Sequence, residues 1–417
     1  MNKTPGPARA SVAARGSIWF VLVAVFIDMV GIGIAIPVLP MLVGAYTSSR
    51  EMQAYWNMDL SVAYGLMQFL CAPMLGAISD RFGRRTVLIA AIIGLGIHYF
   101  LIAIAPSLVF MLIARLVGGI TGASFSVANA YLADITPPEQ RARNFGLIGA
   151  AFGLGFICGP MLGGILGGID LHLPFYVAAG ISLLNAVYGY FMVPESLPPE
   201  RRRAFSLANA NPFRALIGLI RHHAVGSLVV VYAFYIIAHM TMIQSWVLAT
   251  HFRFGWGPFE NGMLLFCVGL LSTVVQGGLI GRLVKRFGEE RLVLMAVGSN
   301  VVIQTLYAIA PRGWMMFPIL FAGFLTFTAG PSIQAVVSKS TDPGAQGVTL
   351  GALQSISSLA AVIGPALGNA LLAQVADLPP GDIRLGANFF LCAALNLLAF
   401  AIAWKRLAQP IAAAASR

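Results

Sequence analysis

Gly76–Ala–Ile–Ser–Asp80–Arg81–Phe82–Gly83–Arg84–Arg85 is a short charged loop between two long apolar runs. Its outline returns downstream as Gly281–Arg–Leu–Val–Lys285–Arg286–Phe287–Gly288. Two further pairs keep the same spacing of 205 residues: Gly146 with Gly351, and Gly159–Pro160–Met–Leu–Gly163 with Gly364–Pro365–Ala–Leu–Gly368. Three matches at one offset indicate two copies of one unit in the same orientation, a parallel internal repeat. Substrate in such a protein is expected near the membrane midplane, between the copies.

The surrounding sequence sets the solvent. The chain has 417 residues, 58% hydrophobic and 10% charged. A soluble domain carries about 25% charged residues, so this chain cannot cover its surface in water. Apolar runs of roughly 20 residues are membrane-helix candidates. They fall near 17–42, 59–79, 86–105, 107–133, 143–169, 173–193, 223–250, 258–282, 289–310, 312–339, 346–375 and 386–406. The expected fold class is an all-α membrane protein of twelve transmembrane helices in two six-helix repeats. Residues 1–193 form the first half and 223–417 the second. The polar stretch 194–222, with Pro198, Pro199 and Arg201–Arg203, reads as a linker on the cytoplasmic side. The first run is too long for a signal peptide and contains Asp28, Pro37 and Pro40, so it is expected to remain as a helix.

The formal charge of +11 is a topology signal. With the N-terminus inside, only Arg50, Arg253, Arg312 and Arg384 fall outside, and Arg115 falls within a helix. Every other Lys and Arg lies on the inner side. The positive-inside rule then places both termini in the cytoplasm and removes the case for nucleic acid as partner. The cysteines, Cys71, Cys158, Cys267 and Cys392, lie singly in apolar helices and read as core residues.

Candidate functional residues follow from what is expensive in a membrane. Of fifteen carboxylates, only Asp28 sits well inside an expected helix. A charge there costs at least about 2.5–3.5 kcal/mol on insertion scales, so it marks a functional position. A carboxyl in that setting can gain and lose a proton as its surroundings change. The plainer alternative is a carboxylate held permanently by hydrogen bonds. Gly31, Gly33, Pro37 and Pro40 make its helix bendable. Arg115 is the expected buried cation of fixed charge, and its plainer reading is a structural ion pair or a bond to backbone carbonyls. His98 and His239 can shuttle protons or serve as hydrogen-bonded interior histidines. Gln68, Asn129, Gln244, Asn300 and Gln304 are neutral polar groups at membrane depth, candidates for the cavity wall or for helix-to-helix ties. Gly155, Gly159, Gly163 and Gly167 form one smooth helix face, with Gly164 beside it and Pro160 interrupting the backbone ladder.

The loop G-x-x-x-D-R-x-G-R-R resembles the signature loop of the major facilitator superfamily. That resemblance implies a cytoplasmic gate of Gly76, Asp80, Arg81, Gly83 and Arg84, with Asp134 as partner. Arg115–Leu–Val–Gly118–Gly119–Ile–Thr–Gly122 resembles the family's helix 4 motif, which implies a part for Arg115 in proton coupling. Gly153 to Gly164, G-L-G-F-I-C-G-P-M-L-G-G, is similar to the helix 5 motif of proton-driven drug antiporters. From Asp28 to Glu195 the chain resembles the tetracycline efflux branch, through Gln68–Phe–Leu–Cys–Ala–Pro–Met–Leu–Gly76, Tyr131–Leu–Ala–Asp134–Ile–Thr and Glu139–Gln–Arg141–Ala–Arg143–Asn–Phe145–Gly146. Three positions depart from that branch. His98 stands where an aspartate is expected, Ser272 marks the place of an expected histidine, and Asn300 replaces an expected aspartate.

The resemblance implies a proton-coupled exporter of a small amphipathic or weakly cationic compound or drug in a bacterial inner membrane, working as a monomer. Asp28, Arg115 and His98 are its expected coupling residues. No cofactor is expected beyond the proton gradient; a divalent metal enters only as cargo with the substrate. An importer or metabolite exporter on the same fold remains an alternative. A membrane enzyme lacks support, since no nucleophile–base pair, metal-ligand cluster or phosphate loop stands out.

Overall fold

The computed structural model describes the chain except for residues 1–6, 123, 137–140, 203–225, 342–345 and 416–417. Most of the expected linker therefore lies outside the described residues. Every long element is a helix: α1 Pro7–Ala35, α2 Leu39–Ala45, α3 Arg50–Phe82, α4 Arg84–Ala103, α5 Leu108–Thr121, α6 Ser124–Ile135, α7 Arg141–Ile169 and α8 Leu173–Met192. After these come α9 Gly226–Phe254, α10 Pro258–Val274, α11 Ile280–Phe287, α12 Glu289–Ile309, α13 Met316–Ala322, α14 Ala329–Lys339, α15 Gln346–Val375 and α16 Ala387–Ala415. Among the described residues no strand occurs.

Ten helices are long and apolar enough to cross a membrane, and a bent pair supplies an eleventh. Twelve spans were expected, and the differences have local causes. The fourth, 107–133, is divided into α5 and α6 around Gly122. The tenth, 312–339, bends by 56° between α13 and the segment that follows. Pro331 cannot donate to the carbonyl of Phe327, and its ring crowds that group. The backbone before it tightens into a 3-10 turn, Phe324–Thr328. Thr326 and Thr328 hydroxyls donate to the Gly323 and Leu325 carbonyls, each at 2.7 Å. The first span breaks at Pro37 and resumes as α2. In the eighth, α10 passes through a π turn at Val275–Leu279 into α11, at the pair Gly277–Gly278.

The internal repeat is visible in three dimensions. Gly83 joins α3 to α4 at φ 101°, and Gly288 joins α11 to α12 at φ 78°. Only glycine adopts that region without strain. Each also closes its helix, Gly83 N–H on the Ser79 carbonyl and Gly288 N–H on that of Val284. The glycine faces of the long repeated helices pack in equivalent ways. Gly155, Gly159 and Gly163 lay α7 against the backbone of α1 at Phe26, Gly33 and Ile34. Gly364 and Gly368 lay α15 against α9 at Met240, Thr241 and Ser245. Pro160 sits inside α7, which continues through it.

The halves meet mainly through α7 with α10 and α3 with α15, and to a smaller extent where α2 and α3 touch α9. Their contacts are concentrated at one end. There Gly164 backs onto Pro258 and Gly262, and Asn57 Nδ2 donates to Asn369 Oδ1 at 3.2 Å. Met41 and Ala54 of the first half are buried in a cluster with Trp246, Leu248 and Phe252 of α9. At the other end, a Cβ built at Gly76, Gly146, Gly149, Gly277, Gly278, Gly281 or Gly351 would meet nothing within 4 Å. The molecule is closed at the Asn57 end and open at the end bearing the charged loops.

Candidate functional site

The charged loop builds a compact network within the first half. Arg84 pairs with Asp80 one turn earlier, reaches Asp134 at the end of α6 at 3.2 Å, and donates to Ser79 Oγ at 2.6 Å. Ser196 donates to the same Asp134 carboxylate. Arg81 lies over the Phe82 ring, and Gly76 faces open space. Glu195 is the member that motif reading missed. Its Oε1 accepts the Arg84 backbone N–H at 2.8 Å, placing a negative charge on the first turn of α4. A Cβ at Gly83 would clash with that carboxylate, which is a second reason for glycine there.

The second half repeats one of these ion pairs with its signs inverted. Lys339 at the end of α14 pairs with Glu289 at the start of α12 at 2.8 Å. Each lies 205 residues after its counterpart, Asp134 and Arg84, and Lys285 lies 205 after Asp80. The offset could have found this pair, because it aligns positions even where the residue types differ. Among the described residues no ion pair joins one half to the other.

At mid-depth the first half holds the buried polar centre. Asp28 on α1 is 6% exposed and accepts from Asn185 Nδ2 of α8 at 3.2 Å. Asn185 Nδ2 also donates to the Ala24 carbonyl, so it ties the carboxyl to its own helix. Beside Asp28 is a cavity of about 10 Å³, room for about one water, lined otherwise by apolar side chains such as Val25, Leu88 and Ile92. On α4, His98 is buried, and its Nδ1 lies 2.7 Å from the Ala114 carbonyl. A carbonyl can only accept, so Nδ1 carries a hydrogen. A Cβ at Gly118 would strike the imidazole; the bare glycine lets α5 close on it.

Arg115 follows one residue after that carbonyl. Its Nε donates to the Leu60 carbonyl at 3.3 Å, and its guanidinium lies 4.3 Å from the centroid of the Tyr64 ring. Tyr64 and Tyr99 each lie within electrostatic reach of both Asp28 and Arg115. Thus α1, α3, α4 and α5 bring Asp28, His98, Arg115 and two tyrosines into one neighbourhood. Gln68, one turn after Tyr64, donates to the Gly122 carbonyl.

The remaining candidates are dispersed in the second half. His239 stacks on Tyr235 at 5.8 Å, and Tyr232 and Gln334 hydrogen-bond nearby. Asn300 is buried on its own helix, donating to Ala296, while Gln304 reaches the Met242 sulfur. Gln244 is half-buried on α9. Asn129 lies on α6, and its side chain is outside the described residues. Arg115 was expected as the one buried fixed cation, but it keeps some accessible surface, whereas Arg253 is buried, its Nη1 on the Tyr307 carbonyl at 2.9 Å. Its place at a helix end made it read as a loop residue. The four cysteines are free.

Two joined helical bundles, open at one end and carrying buried polar groups between their helices, are the architecture of a membrane transporter. The sequence matches the Major Facilitator Superfamily over residues 21–365, and the chain belongs to that family. It is 39% identical over 361 residues to the class C tetracycline resistance protein of Escherichia coli, covering 86% of this chain and 90% of that one. It is 27% identical to multidrug resistance protein 2 of Bacillus subtilis, over 95% and 97% of the two chains. Among solved structures it is similar to the human organic anion transporter MFSD10, with a TM-score of 0.69 and 24% identity over 94% and 99% of the chains.

Proposed function

We propose that this protein exports a small amphipathic compound or drug across a bacterial inner membrane in exchange for protons, by alternating access. The observation that carries the reading is Asp28. A carboxyl on the first helix is buried in an apolar bundle and held by Asn185. Its protonation would weaken that interhelical contact, which is how a proton can alter the packing of a moving helix. His98 and Arg115 stand in the same neighbourhood and share the coupling role. The gate is Asp80, Arg84 and Asp134, with Gly76, Arg81 and Gly83 shaping its loop. The helix 5 residues Gly155, Gly159, Pro160, Gly163 and Gly164 give a close seam along which α7 can slide on α1 and α10. Gln68, Asn129, His239 and Gln244 are the proposed cavity contacts; Asn300 and Gln304, expected there as well, are buried and engaged within the bundle by Ala296 and Met242.

The basic end is the cytoplasmic end by the positive-inside rule, so both termini are cytoplasmic and the conformation is inward-open. The monomer is the working unit. Relatives named for tetracycline and multidrug resistance support efflux. Tetracycline itself is one member of the substrate panel, because His98, Ser272 and Asn300 leave neutral side chains where the tetracycline branch is expected to carry charge and a ring nitrogen. Everted vesicles with an imposed pH gradient test the reading. Proton release on adding a compound, absent in Asp28→Asn, is expected. Uptake that runs with the protons would favour an importer instead.

A further inference from the structure

Arg115 is placed as a ligand group. On α5 the outward stripe is Val109, Ile113 and Ile120, all exposed. At about 100° per residue, Arg115 projects from the far side of the helix, with Met111, Gly118 and Gly122. It lies deep among the atoms of the bundle, yet it retains accessible surface, as does Tyr64. Both side chains thus face the interior of the bundle and stay partly accessible there.

The guanidinium offers five N–H donors. One, on Nε, is used by the Leu60 carbonyl at 3.3 Å. The Tyr64 ring beneath it, 4.3 Å from Cζ, fixes its plane. Among the described residues no carboxylate lies within ion-pair distance of it. The four donors on Nη1 and Nη2 therefore form a fork without a protein acceptor among the described residues. A fixed cation at membrane depth normally pairs with an acid. The neighbouring position on α4, from which an acid could have reached it, is His98, and that ring is already engaged by Ala114. A planar, preoriented fork of this kind matches a carboxylate bidentately.

We infer that Arg115 anchors an anionic group of the substrate, so that the transported compounds are amphipathic carboxylates or similar organic anions. This rests on the transporter reading above and reverses the weakly cationic charge expected from the sequence. Asp28, turned toward Asn185, then holds the proton, and Arg115, turned toward Tyr64, adds the holding of cargo to its part in coupling.

The test uses the full chain. Purified protein is titrated with 2-naphthoate, its methyl ester and 2-naphthylmethylammonium, three probes of one shape and different charge, and the unfolding temperature is followed. A saturable rise with the carboxylate alone is expected. Arg115→Gln should weaken its half-saturation about tenfold to a hundredfold, and Arg115→Lys, which keeps the charge without the fork, by less. The unliganded unfolding temperature of each variant reports whether it has folded. If Arg115→Gln does not fold, Arg115→Lys and the charge series carry the test. Equal shifts with all three probes, a shift with the ammonium alone, no shift with any, or a carboxylate affinity unchanged by the substitutions overturns the inference. Everted vesicles keep the two readings separate. Carboxylate binding through Arg115 without proton release would sink antiport and leave the anchor. Proton release driven only by the ammonium would sink the anchor and leave antiport.

Discussion

Replacing Asn57 by leucine should open the closed end of the molecule. The amide pair Asn57–Asn369 joins α3 to α15 across the halves at 3.2 Å, with the two residues 2% and 0% exposed. Leucine keeps the volume and deletes the bond. Hydrogen bonds between membrane helices contribute about 0.6 kcal/mol on average and about 1.7 at most. The Asn369 Nδ2 already lacks a partner, so Asn57→Leu leaves that whole amide without one in the closed state. Outward opening exposes it to water, which adds to the bias in the same direction. The expected shift toward the outward-open state is therefore about 3- to 20-fold. Ala54, fully buried in the cluster around Trp246 and Phe252, is the reporter. As Ala54→Cys in a chain without its four native cysteines, it should react with a membrane-impermeant maleimide on intact cells only when this end opens. Adding Asn57→Leu should raise the labelling rate by that factor. An unchanged or lower rate would refute the assignment of the pair as a clasp on the outer gate.

Other substitutions test the packing and the gate. Gly163→Leu should abolish folded protein in the membrane, since even a Cβ there meets the Ile34 backbone; Gly149→Leu, facing open space, should leave expression normal while slowing transport, because that space must close in the cycle. Size-exclusion profiles and vesicle uptake separate the two. Glu195→Gln removes the charge at the α4 N-terminus and should lower stability by about 0.3–1 kcal/mol, read as a small fall in unfolding temperature. Exchanging the signs of the Glu289–Lys339 pair (Glu289→Lys with Lys339→Glu) should preserve folding, since the bond itself survives. If the inverted polarity of the two loops matters to closure, the double variant will export more slowly than wild type. A wild-type rate would reduce the pair to a local tie.

Several features are legible in the sequence. The 205-residue offset predicted two like-oriented halves, and the matched turns at Gly83 and Gly288 and the glycine seams of α7 and α15 obey it. Composition gave the membrane, because a chain this apolar has no other solvent. What escaped was mostly long-range. Asn57 and Asn369 lie 312 residues apart and match no motif. Glu195 is a carboxylate in what reads as a loop, and only the fold brings it to the start of α4. Arg253 shows that a charge near a helix end can be buried by the neighbouring helix. Asp28 was legible from cost alone, but its partner Asn185, 157 residues on, was not. The bend of the tenth span needed Pro331 to be weighed against the apolar run that conceals it.

The most direct test of the account is proton movement in everted vesicles, wild type against Asp28→Asn. With an imposed pH gradient, a panel including tetracycline, 2-naphthoate and ethidium is added while a pH dye reports the lumen. The account predicts proton release with at least one compound in wild type and none in Asp28→Asn, with equal amounts of folded protein in both membranes. Compound-driven proton release that persists in Asp28→Asn would contradict it.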